Sequence, residues 1–175
     1  MELGIFIIRL VVGGLLVAHG TQKLFGWFGG HGIEGTGGFM DSLGMRPGRT
    51  MAMAAGTSEA LGGLLLALGF FTPLAAVLIA STMFVAARTA HGGKGVFASS
   101  GGWELPLINA TVAIALAFDS AGKWSLDHAI GWDVSGVAWG LGALALAILG
   151  GLGAIEYGRR HGRIAADVHG RPTAA

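Results

Sequence analysis

The chain has 175 residues, of which 53% are apolar and only 12% charged, and its mean hydropathy is +0.66. A soluble domain carries about 25% charged residues, so this composition excludes an ordinary water-soluble domain and points to a polytopic, all-α membrane protein. The absence of cysteine excludes an internal thiol–disulfide relay and thiolate-held metal; with a net charge of +1, no nucleic-acid partner is expected.

A spanning helix needs roughly 20 mostly apolar residues. Five segments qualify in chain order: residues 3–25, 51–71, 73–90, 104–119 and 134–156. The first four are expected to form a transmembrane bundle core within residues 1–120, and the last a fifth, C-terminal transmembrane helix. Met1-Glu2 offers no basic leader, so no cleavable signal peptide is expected. Pro73 and Pro106 suit first helical turns, and the short link at residues 70–73 predicts an antiparallel hairpin of the second and third spans. The glycine-rich run at residues 26–38 follows a membrane helix rather than a strand. It therefore lacks the context of a nucleotide-binding loop and reads as a flexible re-entrant or surface loop. Residues 121–133 read as an interfacial connection, residues 157–175 as a basic, disordered cytoplasmic tail, and Gly136-x-x-x-Gly140 as a helix contact or homo-oligomer face.

Lys and Arg set the orientation. With five spans, one side receives Lys23, Arg46, Arg49, Arg88, Lys94, Arg159, Arg160, Arg163 and Arg171; the other receives Lys123, with Arg9 buried near it. The positive-inside rule places the first group in the cytoplasm, so the N-terminus is expected outside and the C-terminus inside.

The chemistry is expected where polar residues interrupt the spans. His19 and Lys23 lie four apart on one helix face with Gln22 beside them, and Arg9, Leu16 and Lys23, seven apart, continue the stripe outward. At 1.5 Å per residue, His19 lies about 9 Å, Glu59 about 12 Å and Asn109 about 7 Å from the cytoplasmic ends of their spans. Arg88 lies nearer the boundary. His19, Gln22, Lys23, Glu59, Arg88 and Asn109 thus form a candidate polar pocket, and Arg9 a candidate outer-side polar group. Two readings stay open: interhelical pairs that lock the bundle, or a pocket that holds a small polar head and relays protons. No metal site is expected, since neither Glu-x-x-His nor two His at i, i+4 occurs within the spans. A haem on His19 would need His91 or His128, both outside the spans.

Arg9-Leu-x-x-Gly13, His19-Gly-x-x-Lys23-Leu-Phe25, Gly35-Thr-x-Gly-Phe39-x-x-x-Leu43-Gly44, Glu59-x-x-Gly62-Gly63 and Gly69-x-x-Thr72-Pro73 occur in that order. Together they resemble the DoxX family of small bacterial integral membrane proteins, from about residue 3 to residue 88. The resemblance implies a four-helix membrane core in the bacterial plasma membrane, to which the fifth span is an addition. It also implies a membrane subunit of a quinone-linked redox or oxidative-stress complex of the thiosulfate:quinone oxidoreductase type. No covalently bound cofactor is implied; quinone would be the ligand and soluble redox proteins at the cytoplasmic face the partners. A non-catalytic scaffold recruiting such enzymes is the alternative, and a small-molecule carrier a third.

Overall fold

The computed structural model describes residues 2–132 and 134–169. Among them the chain is helical without a strand: α1 (Glu2–Phe25), α2 (Gly32–Ser42), α3 (Gly48–Leu68), α4 (Thr72–Arg88), α5 (Glu104–Phe118), α6 (Leu126–Ala129) and α7 (Val137–His169). α1, α3 and α7 are long and apolar enough to cross a bilayer; α4 and α5, at 17 and 15 residues, are shorter apolar helices. The surface is that of a protein dissolved in lipid. Leu3, Ile7, Val11 and Leu15 of α1 and Leu141, Leu146 and Leu149 of α7 face outward, while alanines such as Ala75, Ala76, Ala113, Ala117 and Ala143 fill the centre with Leu66 and Ile79. Lipid tails are as apolar as leucine, so close packing of small residues holds such helices together.

Glycine decides how α1 meets α3. A Cβ on Gly20 would lie 2.4 Å from the Ala60 nitrogen and 2.5 Å from the Gly56 carbonyl oxygen; one on Gly13 would lie 2.5 Å from the Gly63 carbonyl oxygen. The two backbones therefore touch along a seam that no larger residue allows, and this contact sets Lys23 of α1 against Glu59 of α3. α4 packs on α3, α5 and α7, and α2 lies against α1 and α3.

Three segments differ from the sequence reading. The run at 26–38 holds a short 3-10 turn at Trp27–Gly29 and most of α2, rather than a flexible loop. Its Gly37 sits with room for no side chain beside the Gly48–Arg49 backbone, where a Cβ would meet Arg49 atoms at 3.1–3.2 Å. The second span runs from Gly48 to Leu68, three residues earlier than expected at either end, because Gly69 terminates it in the left-handed region at φ 61. The tail from residue 157 is not disordered as far as His169, for α7 continues through it; residues 170–175, Arg171 included, lie outside the described residues. Gly140 serves α5, since a Cβ there would meet the Phe118 ring at 2.3–2.4 Å, and Gly136 precedes α7 at φ 100. The GxxxG is thus spent on an intrachain contact and a turn.

Candidate functional site

At one end of the bundle the Lys23 ammonium donates to Glu59, forming an ion pair whose carboxylate side chain is 5% exposed and whose lysine is 26% exposed. Arg46, Arg49, Arg88, Lys94 and the arginines of the α7 extension lie toward the same end in chain terms. The pair forms one wall of a cavity of about 340 Å³, to which His19, Asn109, Thr36, Thr82 and His91 also contribute. α2 supplies Thr36, Phe39 and Met40, and Thr36 is held by donating to the Lys23 carbonyl at 3.4 Å. The loop after α4 folds back over the cavity. There His91 Nδ1 lies 2.7 Å from the Gly101 carbonyl oxygen, and the Glu104 carboxylate accepts from the Ala98 N–H at 2.8 Å. Asn109 Nδ2 lies 4.0 Å from Met83 Sδ. Beyond Met83 and Pro106, which belong to both walls, an apolar groove of about 420 Å³ runs between α4, α5 and α7.

Of the six residues proposed from sequence, His19, Lys23, Glu59 and Asn109 line this one cavity, with His19 at its exposed rim. Gln22 and Arg88 do not. Gln22 Nε2 donates to the Phe28 carbonyl at 3.1 Å and ties down the turn after α1; Arg88 is exposed at the end of α4. His91, which the sequence places outside every span, and Thr36, on a helix the sequence hides, join the site instead.

The opposite end carries a second polar centre. Arg9 is 1% exposed and donates to the carbonyls of Ala121, of Trp124 at 2.8 Å and of Ala67 at 3.3 Å. Asp127, equally buried, accepts from the Phe71 N–H at 2.7 Å, the Thr72 N–H at 3.1 Å and the Thr72 hydroxyl at 2.9 Å, capping α4. Gly69 lies between them because a Cβ there would meet Arg9 Nη1 at 2.5 Å. Leu16, 3% exposed, separates Arg9 from Lys23, so the stripe read along α1 resolves into two centres at its two ends. The outer one is a staple that joins α1, the α3–α4 turn and residues 121–127. Among the described residues no three His, Asp or Glu side chains gather as a metal ion would require.

The family model described as DoxX matches residues 4–92, which covers α1 through the start of the loop over the cavity. A Haemophilus influenzae protein described as uncharacterized is 33% identical over 128 residues, covering 69% of this chain and 86% of that protein. No solved structure matches the chain.

Proposed function

The chain belongs to the DoxX family, and from that premise we propose that it is the integral membrane subunit of a quinone-linked redox complex of the thiosulfate:quinone oxidoreductase type, acting in oxidative-stress defence. The observation that carries the reading is the cavity at Lys23–Glu59: charged at one wall, hydroxyl- and imidazole-lined around it, and adjoining an apolar groove across Met83 and Pro106. Its volume of about 340 Å³ falls within the 300–1,000 Å³ common for small-molecule sites. A quinone bound there would supply two-electron, two-proton acceptor chemistry, with the electrons drawn from a soluble partner that oxidises a sulfur donor.

The chain's own residues bind, orient and move protons. The Lys23 ammonium has three donors, one of them committed to Glu59, and faces the cavity where a carbonyl oxygen can accept from it. Asn109 adds an amide donor on the opposite wall. His19, at the rim, and His91, in the loop over the cavity, add imidazole groups to the lining, which supports a proton-relay role for this cavity. The excess of lysine and arginine at this end supports a cytoplasmic face in a bacterial plasma membrane, to which a soluble electron donor would dock.

The test is ligand retention. Purified wild type should carry or take up a short-tailed quinone, and Lys23→Met or Asn109→Leu should lower its affinity at least tenfold with helix content unchanged. Equal affinity in all three would sink the pocket reading. The second reading, a non-catalytic scaffold, is favoured by the ordered extension of α7 beyond Ile155, which offers soluble partners a rigid basic arm.

A further inference from the structure

α7 has 33 residues and is about 50 Å long at 1.5 Å per residue, well beyond the roughly 20 residues that cross a bilayer. Its emergent part reads Glu156-Tyr157-Gly158-Arg159-Arg160-His161-Gly162-Arg163. Glycine inside a helix is a destabilising choice, and here two glycines stand one turn apart. Both have the same explanation. A Cβ on Gly158 would meet Met45 Cε at 3.0 Å and Sδ at 3.1 Å, and one on Gly162 would meet the Gly44 carbonyl oxygen at 2.8 Å. The turn between α2 and α3 is seated on the helix: Met45 is 0% exposed, and the Arg46 N–H donates to the Gly158 carbonyl at 3.0 Å.

This docking has an electrostatic consequence. It brings Arg46 from the turn together with Arg159 and Arg163 from α7 around a cleft of about 510 Å³, where Asp41 is the one carboxylate in the lining. Arg46 lies 3.8 Å from Asp41 and Arg163 3.2 Å from Glu156, and all these side chains are well exposed. Three arginines lining one cleft with a single carboxylate leave an excess of positive charge that matches a phosphate, which arginine binds with paired donors. The depth fits a lipid. Arg159 follows lipid-facing Leu152 by seven residues, about 10 Å along the axis, which sets the cleft at headgroup level beside an exposed apolar flank for acyl chains.

We propose that this cleft binds the phosphate of an anionic phospholipid in the leaflet at the Lys23 end, with Arg46, Arg159 and Arg163 as its ligands and the Gly158/Gly162 contact as its hinge plate. The site is separate from the Lys23–Glu59 cavity and does not depend on the quinone reading.

The full chain in detergent, titrated with phosphatidylglycerol or with phosphatidylcholine of the same acyl chains and read by native mass spectrometry, tests it. Wild type should retain phosphatidylglycerol preferentially. Losing the charge-assisted hydrogen bonds of two phosphate ligands should make Arg159→Gln with Arg163→Gln lower that preference by roughly tenfold or more. Arg49→Gln with Arg160→Gln removes the same charge outside the cleft lining and should leave most of it. Gly162→Leu removes no charge but wedges the turn from the helix, and should weaken retention as well. The proposal is overturned if wild type shows no preference, if the control pair loses as much as the cleft pair, or if millimolar inorganic phosphate displaces the lipid and so identifies a free-phosphate site. It is also overturned if an acidic soluble segment, but not the lipid, depends on the cleft arginines.

Discussion

Lys23→Met is the most informative single change, because it separates what the ion pair does for the fold from what it does for the cavity. The Glu59 side chain is 5% exposed, so removing its cation strands a carboxylate almost wholly out of water. Breaking a buried pair from one side costs about 3–5 kcal/mol; with Lys23 itself 26% exposed, the lower end, about 3 kcal/mol, is expected. Glu59→Met should cost less, since the lysine left behind can extend to water along the cavity. The double variant replaces the pair by two apolar side chains of similar length and should recover to within about 1 kcal/mol of wild type. Unfolding in mixed micelles, run on all four proteins, gives a coupling energy expected to exceed about 2 kcal/mol. The reasoning is refuted if the two single effects add to within about 0.5 kcal/mol. The double variant then carries the functional half of the test: stable again but with an apolar wall, it should still fail to bind a quinone.

Other changes probe the frame around that pair. Gly20→Ala puts a Cβ 2.4 Å from the Ala60 nitrogen, backbone that cannot rotate away, and should cost about 1–3 kcal/mol or more; Gly14→Ala, with nothing within 4 Å, should stay within about 0.5 kcal/mol. Melting curves in detergent distinguish the two. Arg9→Met abandons three backbone carbonyls and the neighbouring Asp127, and should lower stability by about 3 kcal/mol while leaving ligand binding at the far cavity intact. Asp127→Ala frees the Phe71 and Thr72 N–H groups at the first turn of α4, for about 2–4 kcal/mol; hydrogen exchange should then rise first at residues 71–75.

The spans and the gathering of polar residues at one end of the bundle were legible because both rest on local rules: apolar length, and depth counted at 1.5 Å per residue. That depth count sets Glu59 level with His19, whereas the structure pairs it with the longer-reaching Lys23. What escaped the sequence rests on contacts between distant segments. α2 contains Gly35, Gly37 and Gly38, poor helix formers, and it is helical because Gly37 packs against the backbone at Gly48 and Arg49. The α7 extension combines glycine with arginine, a composition typical of disordered tails, yet Met45 and Gly44 hold its glycine face. Arg9 and Lys23 do share an azimuth on α1, but 14 residues separate them by about 21 Å along the axis. That distance, rather than the stripe, assigns Arg9 to Asp127. The sequence places His91 outside every span, and a loop that folds back over the bundle brings it to the cavity.

The two polar centres also differ in how many hydrogen bonds they make to the protein itself, and that difference supports the proposed ligand site at Lys23–Glu59. Asp127 accepts three hydrogen bonds and Arg9 donates three, all to the chain and nearly all to backbone. Three of the five guanidinium N–H groups are thus committed, Arg9 Nε is left buried without a partner, and the burial of the centre makes each bond costly to give up. Lys23 and Glu59 meet through one hydrogen bond, which uses one of three ammonium donors and one of several carboxylate lone pairs. At His91, the Gly101 carbonyl can only accept, so Nδ1 carries a proton in that 2.7 Å contact, and Nε2 takes no part in it. Lys23 and Glu59 spend less of their capacity on the chain than Asp127 does, and with His91 they line the cavity at their end, which favours the proposed ligand site there over a purely structural lock.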